Sequence, residues 1–498
     1  MKRIVLRYIS LPVLLIALLT GCYKDKGNYT YHDINEITVI LPGLKHHQDT
    51  ILNYGDTLRL TPEIIQTMAQ HENALKFEWG IFENSGANLA APPAVIANTR
   101  NLEVPLTEPN FSLGGEYRLT LKVTDTITRV SAFAMINLKV LNRFSQGWIF
   151  LEDLPGGGDF SMLLPNGTLV HNVYSSLNPG IPMGNGKPVK IDLTTFNVND
   201  GMGPYTQKIF LCNENSGVEL DFQKMTRMWN FDMLFFNPPA TIQPLTLNWF
   251  SAAGTTWGSL GVFIDKNGKV YSAMAGGFPG QKKFGAILLT PEGTPDYTAT
   301  RYVLHARNYP FIYDNQQQRF YIVGNAALTG FPANASTVVD LNNVGMELMY
   351  MDKANVEYTF NAVLKDNTNT PHLLRLQSVT SSPEVTVFIQ PMNAPDIIHH
   401  TAMVSSAVSP HIFYGVGNQL YRHETTSNTT VPVFTFPAGE ELIFLKFGPG
   451  NTMAAATWNG TESKVYLFKI SLMGEMENGT YSEVHGGFGR IVDIAYKQ

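Results

Sequence analysis

Short runs of alternating apolar and polar residues recur from about Glu36 to the end of the chain, and they limit its fold more than any other feature. Examples are "DTLRLTPEI", "GEYRLTLKVTDT" and "GVFIDKNGKVYSAM", each bounded by Gly, Pro, Asn or Asp. A period of two residues is typical of β-strands, and apolar positions at helical spacing are hard to find beyond the N-terminal segment. With 42 Gly, 29 Pro and only 15% charged residues, the chain is predicted to be all-β.

Residues 35–142 are predicted to form a small sandwich domain. Their six or so strand-like runs have the spacing of an immunoglobulin-like fold. Trp79 lies in a central run, and the run from Gly115 to Asp125 reads "G-x-Y-x-L-x-L-x-V-x-D". The tryptophan strand and this pattern resemble the PKD-like family, which implies a domain that spaces a functional module from a surface. We expect Trp79 to be a core residue.

Residues 143–498 are predicted to form a β-propeller. Strand-like runs such as "GWIFLED", "QRFYIVGN" and "HIFYGVGNQLYRHE" belong to larger units of roughly 40–60 residues, the length of four-stranded blades. About 50 residues per blade gives about seven blades, with six or eight left open. The terminal "GRIVDIAYKQ" is expected to pair beside "GWIFLED" and complete the first blade. Two or three further sandwiches are the competing interpretation.

The N-terminus has the parts of a secretory signal. Positive residues precede an apolar stretch that is shorter than the ~20 residues needed to span a bilayer. Leu19-Thr20-Gly21-Cys22 then resembles the bacterial lipobox, which implies cleavage before Cys22 and acylation of its thiol, palmitate being one such acyl group. We predict a signal peptide over residues 1–21 and a polar tether over 22–34. An ordinary signal peptide with a cysteine nearby is the alternative.

The cysteines and histidines predict neither a disulfide framework nor a metal site. With Cys22 acylated, Cys212 has no partner in the chain and is expected to be a small buried apolar residue. Adjacent histidines, as in His46-His47 and His399-His400, point to opposite faces of a strand and cannot easily bind one ion. We predict no metal and no cofactor.

No arrangement of catalytic residues stands out. Carboxylates occur together in "LEDLPGGGDF" and in "GVELDF", where Glu219 and Asp221 share one face of a strand, but such pairs are common in a chain of this length. The glycine run after Pro155 lacks the Lys and Ser or Thr of a phosphate loop. We therefore predict no catalytic residues.

Aromatic residues are concentrated between residues 224 and 261. Three of the six tryptophans, Trp229, Trp249 and Trp257, lie there. An aromatic ring can stack on the apolar face of a sugar while nearby polar groups bind the hydroxyls. If this segment binds a ligand, we expect those three tryptophans to stack on a glycan and Asn230 and Asn248 to supply hydrogen bonds. The alternative is that the aromatic side chains fill the space between blades.

The layout as a whole resembles the PKD-like lipoproteins of Bacteroidetes. That resemblance implies a lipid anchor in the outer membrane, exposure at the cell surface and a place beside a TonB-dependent nutrient receptor. The net charge of −6 and the lack of a basic run after the signal argue against nucleic acid as a partner.

The expected function is that of a non-enzymatic binding or scaffold module for glycan or nutrient capture. Two alternatives stay open, because propellers host several activities. One is a polysaccharide-active hydrolase or lyase, in which two or more carboxylates, or a histidine with a tyrosine or arginine, would converge at the central channel. The other is a protein–protein adhesion module, which would expose apolar patches at the rim.

Overall fold

The computed structural model describes residues 34–44, 49–68, 73–83, 92–203, 205–251, 259–275, 280, 282–333, 335–378 and 386–498. The predicted signal peptide, Cys22 with all but the last residue of the tether, and Trp257 lie outside these residues. The chain divides into two compact units, Met1–Val140 and Leu141–Gln498. In the described ranges no helix is both long and apolar enough to cross a bilayer.

The first unit contains nine strands in its described part. The strands are β1 (Ile37–Ile40), β2 (Asp49–Asn53), β3 (Thr57–Leu60), β4 (Glu63–Gln66), β5 (Leu75–Glu83), β6 (Ala94–Ala97), β7 (Leu102–Pro105), β8 (Glu116–Asp125) and β9 (Ser131–Leu141). A five-stranded sheet has the order β2-β9-β8-β5-β6, and β1 pairs with β4 and β3 with β7. These layers enclose one core, which confirms the predicted sandwich.

The core of the first unit lies on the strands that the sequence pattern singled out. Trp79 is fully buried, and its indole Nε1 donates a hydrogen bond to the carbonyl of Thr99 at 2.9 Å. On β8 the residues of the tyrosine pattern that face the core are Tyr117, Leu119, Leu121 and Val123. The Tyr117 hydroxyl accepts a hydrogen bond from the backbone N–H of Ser112 at 2.6 Å. The alternating pattern and the core position of Trp79 are confirmed.

The described part of the second unit contains seven antiparallel sheets, which we call blades 1 to 7. Blade 1 consists of β10 (Gly147–Leu154), β11 (Gly157–Leu163), β12 (Leu169–Val170) and β36 (Arg490–Lys497), blade 2 of β13 (Pro188–Leu193), β14 (Lys208–Asn213), β15 (Ser216–Asp221) and β16 (Arg227–Asn230), and blade 3 of β17 (Pro244–Ser251), β18 (Ser259–Asp265) and β19 (Val270–Ala275).

The remaining blades each have four strands. Blade 4 consists of β20 (Ala299–His305), β21 (Pro310–Asp314), β22 (Arg319–Val323) and β23 (Leu328–Thr329), blade 5 of β24 (Glu347–Lys353), β25 (Thr359–Lys365), β26 (Pro371–Gln377) and β27 (Thr386–Pro391), blade 6 of β28 (Ala402–Ser405), β29 (His411–Val416), β30 (Gln419–Glu424) and β31 (Thr429–Thr435), and blade 7 of β32 (Glu441–Phe447), β33 (Thr452–Trp458), β34 (Ser463–Lys469) and β35 (Glu483–Phe488). Helix α1 (Val173–Leu177) and the 3₁₀ helices Phe231–Leu234, Ile397–His399 and Glu477–Gly479 lie between strands.

The inner strands of the seven blades form a closed ring. They are the edge strands β36, β13, β17, β20, β24, β28 and β32, and each packs against the next, with β32 returning to β36. Blade 1 is completed by the last strand of the chain, since β36 pairs with β10 from Gly147↔Lys497 to Asp153↔Arg490. This arrangement confirms the predicted β-propeller and the predicted pairing of the two ends. The ring surrounds a central channel.

Apolar side chains fill the spaces between blades. Between blades 2 and 3, for example, the core includes Phe210, Phe263 and Cys212. Cys212 is fully buried and, among the described residues, is a free thiol, as the sequence predicted for a small apolar residue. Burial raises its pKa well above the usual value for a thiol, so it is not a reactive thiolate.

Candidate functional site

Five charged side chains from four different blades meet around the channel. They are Lys190 and Asp192 on β13, Arg301 on β20, Lys446 on β32 and Asp493 on β36, and we call them the channel cluster. Burial raises the pKa of the Asp493 carboxyl, and the positive charges of Lys190, Lys446 and Arg301 oppose that rise. The inner strands that carry these groups all belong to the ring, and the three cations that act on Asp493 lie on three other blades.

Local irregularities of the inner strands lie next to two members of the channel cluster. The pairing of β13 with β14 shifts by one residue just before Lys190, and the pairing of β36 with β10 shifts just before Asp493. The inner strands β17, β20, β24 and β32 have similar shifts. A bulge adds an unpaired residue and re-aims the side chains next to it.

Asp192 is held by contacts on two neighbouring blades. Lys190 Nζ lies 2.7 Å from its Oδ1, and Asn248 Nδ2 on β17 donates to the same oxygen at 2.9 Å. The backbone N–H of Leu247 donates to Oδ2 at 3.2 Å. Lys190 also donates to Thr246 Oγ1 at 2.5 Å. This network joins the inner strands of blades 2 and 3.

Asp493 joins blades 1 and 2 in the same manner. Its Oδ2 accepts the backbone N–H of Ile191 on β13 at 2.9 Å, and its Oδ1 accepts its neighbour Ile494 N–H at 2.9 Å. Further round the ring, the Tyr350 hydroxyl on β24 accepts the N–H of Ser405 on β28 at 2.9 Å. Polar side chains thus accept backbone N–H groups at the edges of three inner strands, β13, β17 and β28.

Arg301 and Lys446 differ from the other members of the channel cluster. Arg301 is half-buried and Lys446 is exposed. Across the described residues, neither side chain has a hydrogen bond or an ion pair. Two cations near the channel are therefore free to bind acceptors on a ligand.

His305 lies at the end of the same inner strand as Arg301. Its ring stacks on Phe250 of blade 3, with centroids 5.2 Å apart and planes 7° apart. Burial and the charge of Lys353 lower its pKa to about 4. The imidazole is therefore neutral at physiological pH and adds no charge to the channel.

Among the described residues, the group that most resembles a catalytic triad is Glu152, Ser161 and His171, but it lacks the order that a triad needs. The Ser161 hydroxyl donates to Glu152 at 2.5 Å and lies 2.8 Å from Nδ1 of His171. The serine stands between the acid and the histidine, whereas a catalytic triad needs the histidine between serine and acid. In the described ranges, no three His, Cys, Asp or Glu side chains are placed to hold a metal ion.

Of the predicted sugar-stacking residues, the two described tryptophans lie on strands of different blades. Trp249 lies on the inner strand β17, is 8% exposed and packs against Gly261 and Phe284 in the core between blades. Trp229 and Asn230 lie on the outer strand β16 of blade 2. Trp249 is thus a buried packing residue, which agrees with the alternative interpretation for that residue.

The two predicted polar residues, Asn248 and Asn230, both have hydrogen-bond partners within the protein. Asn248 donates to Asp192 and so supports the channel cluster, and exposed Asn230 accepts hydrogen bonds from the guanidinium of Arg227. Trp229 is partly buried. A role in glycan binding for Trp229, Asn230 and the undescribed Trp257 stays a prediction.

The sequence analysis did not single out any member of the channel cluster. These residues are far apart in the sequence, and only closure of the ring brings them together. The signal that could have found them is a charge inside a short apolar run, as in "VKIDL", "RIVDIAYK" and "FLKF". Buried charged residues of that kind need partners.

Comparisons with solved structures give distant likenesses. A quinonprotein alcohol dehydrogenase-like protein from Bacteroides thetaiotaomicron VPI-5482 is 12% identical, with 93% of this chain and 99% of that chain covered and a TM-score of 0.41. Virginiamycin B lyase from Staphylococcus aureus is 13% identical, with 61% and 90% covered and a TM-score of 0.36. No curated protein matches the sequence. These likenesses say nothing about activity.

The comparison with protein families gives one match. The PKD-like family matches residues 22–188, which include the whole described part of the first unit and the strands β10 to β12 of blade 1. Residues 22–188 therefore carry a domain of the PKD-like family.

Proposed function

We propose that this protein is a lipid-anchored, non-enzymatic binding module of the outer membrane whose ligand is an acidic glycan bound at the propeller channel. The observation that supports it best is the pair of cations, Arg301 and Lys446, whose side chains make no hydrogen bond or ion pair with a described residue. Guanidinium and ammonium groups bind carboxylates through charge-assisted hydrogen bonds, which are stronger than neutral ones. A sugar with carboxylate groups matches that chemistry.

The remaining channel groups favour binding over catalysis. The carboxylates of Asp192 and Asp493 accept backbone N–H groups and face cations, so they serve to join blades. The lipobox-like sequence before Cys22 supports the anchor and the surface location. A TonB-dependent receptor as the partner rests on the resemblance to PKD-like lipoproteins.

The test is isothermal titration of the full chain in detergent with oligogalacturonate, and with the matching neutral galactose oligosaccharide. The Arg301→Met/Lys446→Met variant should lose about tenfold or more in affinity for oligogalacturonate, since each charged hydrogen bond contributes about 1.5–3 kcal/mol. Lys266→Met, which removes an exposed turn lysine of blade 3, should bind as the parent does. Equal affinity in the double variant, or equal binding of the neutral sugar, would contradict the proposal.

The enzymatic alternative has one supporting observation, the presence of two carboxylates in the channel cluster. The same samples decide it. If oligogalacturonate is converted to shorter products by the parent chain and not by Asp493→Asn, the protein is a polysaccharide-active enzyme and the binding proposal is wrong.

A further inference from the structure

Blade 2 contains a second group of buried ionisable side chains, apart from the channel cluster. Lys208 begins β14, Glu219 lies on β15, and Asp200 lies in the loop before β14; we call them the blade 2 triad. Lys208 Nζ lies 3.1 Å from Oε1 of Glu219 and 3.7 Å from Oδ2 of Asp200. The Lys208 side chain is 0% exposed, that of Glu219 1% and that of Asp200 5%. An amine and two carboxyl groups therefore meet where water has little access.

The hydrogen bonding of the blade 2 triad is incomplete. Lys208 Nζ and both carboxyl oxygens of Glu219 are buried and have no hydrogen-bond partner in the described structure, because the close Nζ–Oε1 approach is off the hydrogen-bonding directions. The indole Nε1 of Trp229 is buried without a partner as well. Trp229 Nε1 and Lys208 Nζ both lie beside Gly203. A Cβ atom placed on Gly203 would be 3.8 Å from Trp229 Nε1 and 3.7 Å from Lys208 Nζ.

Such a concentration of unpaired polar atoms is unusual, because more than 90% of buried polar groups in proteins have partners. A buried lysine ammonium needs acceptors for three N–H groups. The amide nitrogen that forms when the amine condenses with a carboxyl group needs an acceptor for only one. The blade 2 triad therefore has the composition and spacing of a site where an amine and a carboxyl group can condense.

We propose that Lys208 and Asp200 form an intramolecular isopeptide bond, with Glu219 as the catalytic residue. The neutral amine Nζ of Lys208 attacks Cγ of the protonated Asp200 carboxyl group, and a C–N bond forms. Glu219 takes a proton from Nζ and returns it to the departing oxygen. The C–Oδ2 bond breaks, and one water molecule leaves. No oxidant, reductant or other reactant is consumed.

The surroundings supply what each step needs. The three side chains are almost fully buried, so bulk water does not compete with the amine for the carboxyl carbon. The backbone N–H of Met202 donates to Asp200 Oδ1 at 3.0 Å and can stabilise the oxyanion that forms there in the tetrahedral intermediate. Burial raises the pKa of Glu219 to about 7, against the opposing effect of Lys208, so Glu219 can both accept and donate a proton near neutral pH.

Peptide mapping tests the bond directly. The full chain is denatured, digested with trypsin and analysed by mass spectrometry. Asp200 and Lys208 both lie in the tryptic peptide 191–208, and the next peptide is 209–224. Trypsin does not cut after an acylated lysine. The expected result is one fused peptide, 191–224, lighter than its sequence by one water molecule, with fragment ions that place the link between Asp200 and Lys208.

Two variants and one side reaction make the result specific. Glu219→Gln should give the two separate peptides, while Glu214→Gln, the same change on the turn of this hairpin, should give the fused peptide. Because Asp200 precedes Gly201, it can also lose water by cyclising onto the backbone, but that product leaves Lys208 open to trypsin. Separate peptides from the parent chain, with or without that loss of water, would overturn the proposal. A fused peptide from Glu219→Gln would overturn the role of Glu219.

Discussion

The Lys190–Asp192 ion pair is nearly buried, with side chains 20% and 9% exposed. A pair of this kind gains little over apolar residues of similar size, because both charges must leave water. Removal of one partner is different, since it leaves the other charge without compensation. The contribution of Asp192 to the fold therefore depends on whether Lys190 is still present.

We expect Asp192→Ala to lower the free energy of unfolding by about 3 kcal/mol. The substitution leaves the Lys190 charge without its ion-pair partner and the N–H donors of Leu247 and Asn248 without their acceptor. Lys190→Met/Asp192→Leu should recover part of that loss. The shift of the denaturant midpoint of the second unit measures both. The matched control is Glu347→Ala, which breaks the exposed 3.1 Å pair with Lys365 and should cost less than about 1 kcal/mol. A cost for Asp192→Ala no larger than the control's would contradict this interpretation.

At the scale of one element, strand β36 ends on a buried cation. Lys497 is fully buried, its Nζ donates to the carbonyl of Phe144 at 2.8 Å, and it lies 4.5 Å from the ring centroid of Phe222. Burial lowers its pKa to about 7, against the opposing effect of Asp221. The last strand is thus fixed by a group that loses its proton near neutral pH in the folded chain and only near pH 10 in the unfolded chain.

The stability of the second unit should therefore rise with pH above neutrality. Between pH 7 and about 10 the unfolded chain binds the Lys497 proton and the folded chain does not, so unfolding becomes less favourable as pH rises. The Lys497 contribution is on the order of 3–5 kcal/mol over that range. Thermal unfolding at pH 7, 8 and 9 measures it, with Lys497→Met as the reference. A parent chain whose pH dependence equals that of the variant would show that Lys497 does not titrate in this range.

The elements that the sequence predicted well are those whose pattern is local. β8 alternates within ten residues, and β18 and β19 pair as a hairpin from Ile264↔Val270 to Ser259↔Ala275, as "GVFIDKNGKVYSAM" indicated. The turn between them is not a two-residue Asn-Gly turn. Gly268 has φ of +72°, but Asn267 is not among the residues with positive φ, because five residues, not two, connect the paired positions.

The candidate site could not be predicted in the same way. Aromatic density marked Trp249, but a density of rings does not distinguish a surface from the space between two blades, and this ring lies in that space. Arg301 and Lys446 become neighbours of Asp493 only when blades 4, 7 and 1 share a ring. That closure joins strands that are far apart in the sequence, so no local pattern of residues reports it.

At the scale of the whole second unit, the ring is closed by non-local contacts. β36 is the inner strand of blade 1 but comes from the far end of the chain, and it pairs with β10 and packs against β13 and β32. Its Ile491 and Ile494 belong to the core between blades 7 and 1. No other described blade takes strands from both ends of the unit. Every blade has two neighbours only while β36 is in place.

Removal of residues 490–498 should therefore unfold the second unit as a whole. The truncated chain would expose the edge of β10 and the faces of β13 and β32, and such edges favour aggregation. We expect no cooperative unfolding transition of the second unit and loss of solubility, while deletion of the exposed Gln498 alone should leave the transition unchanged. Differential scanning calorimetry and size-exclusion chromatography of the two chains check this. If the truncated chain unfolds within a few degrees of the parent, six complete blades close without the terminal strand, and the pairing of β36 with β10 is not what holds the ring together.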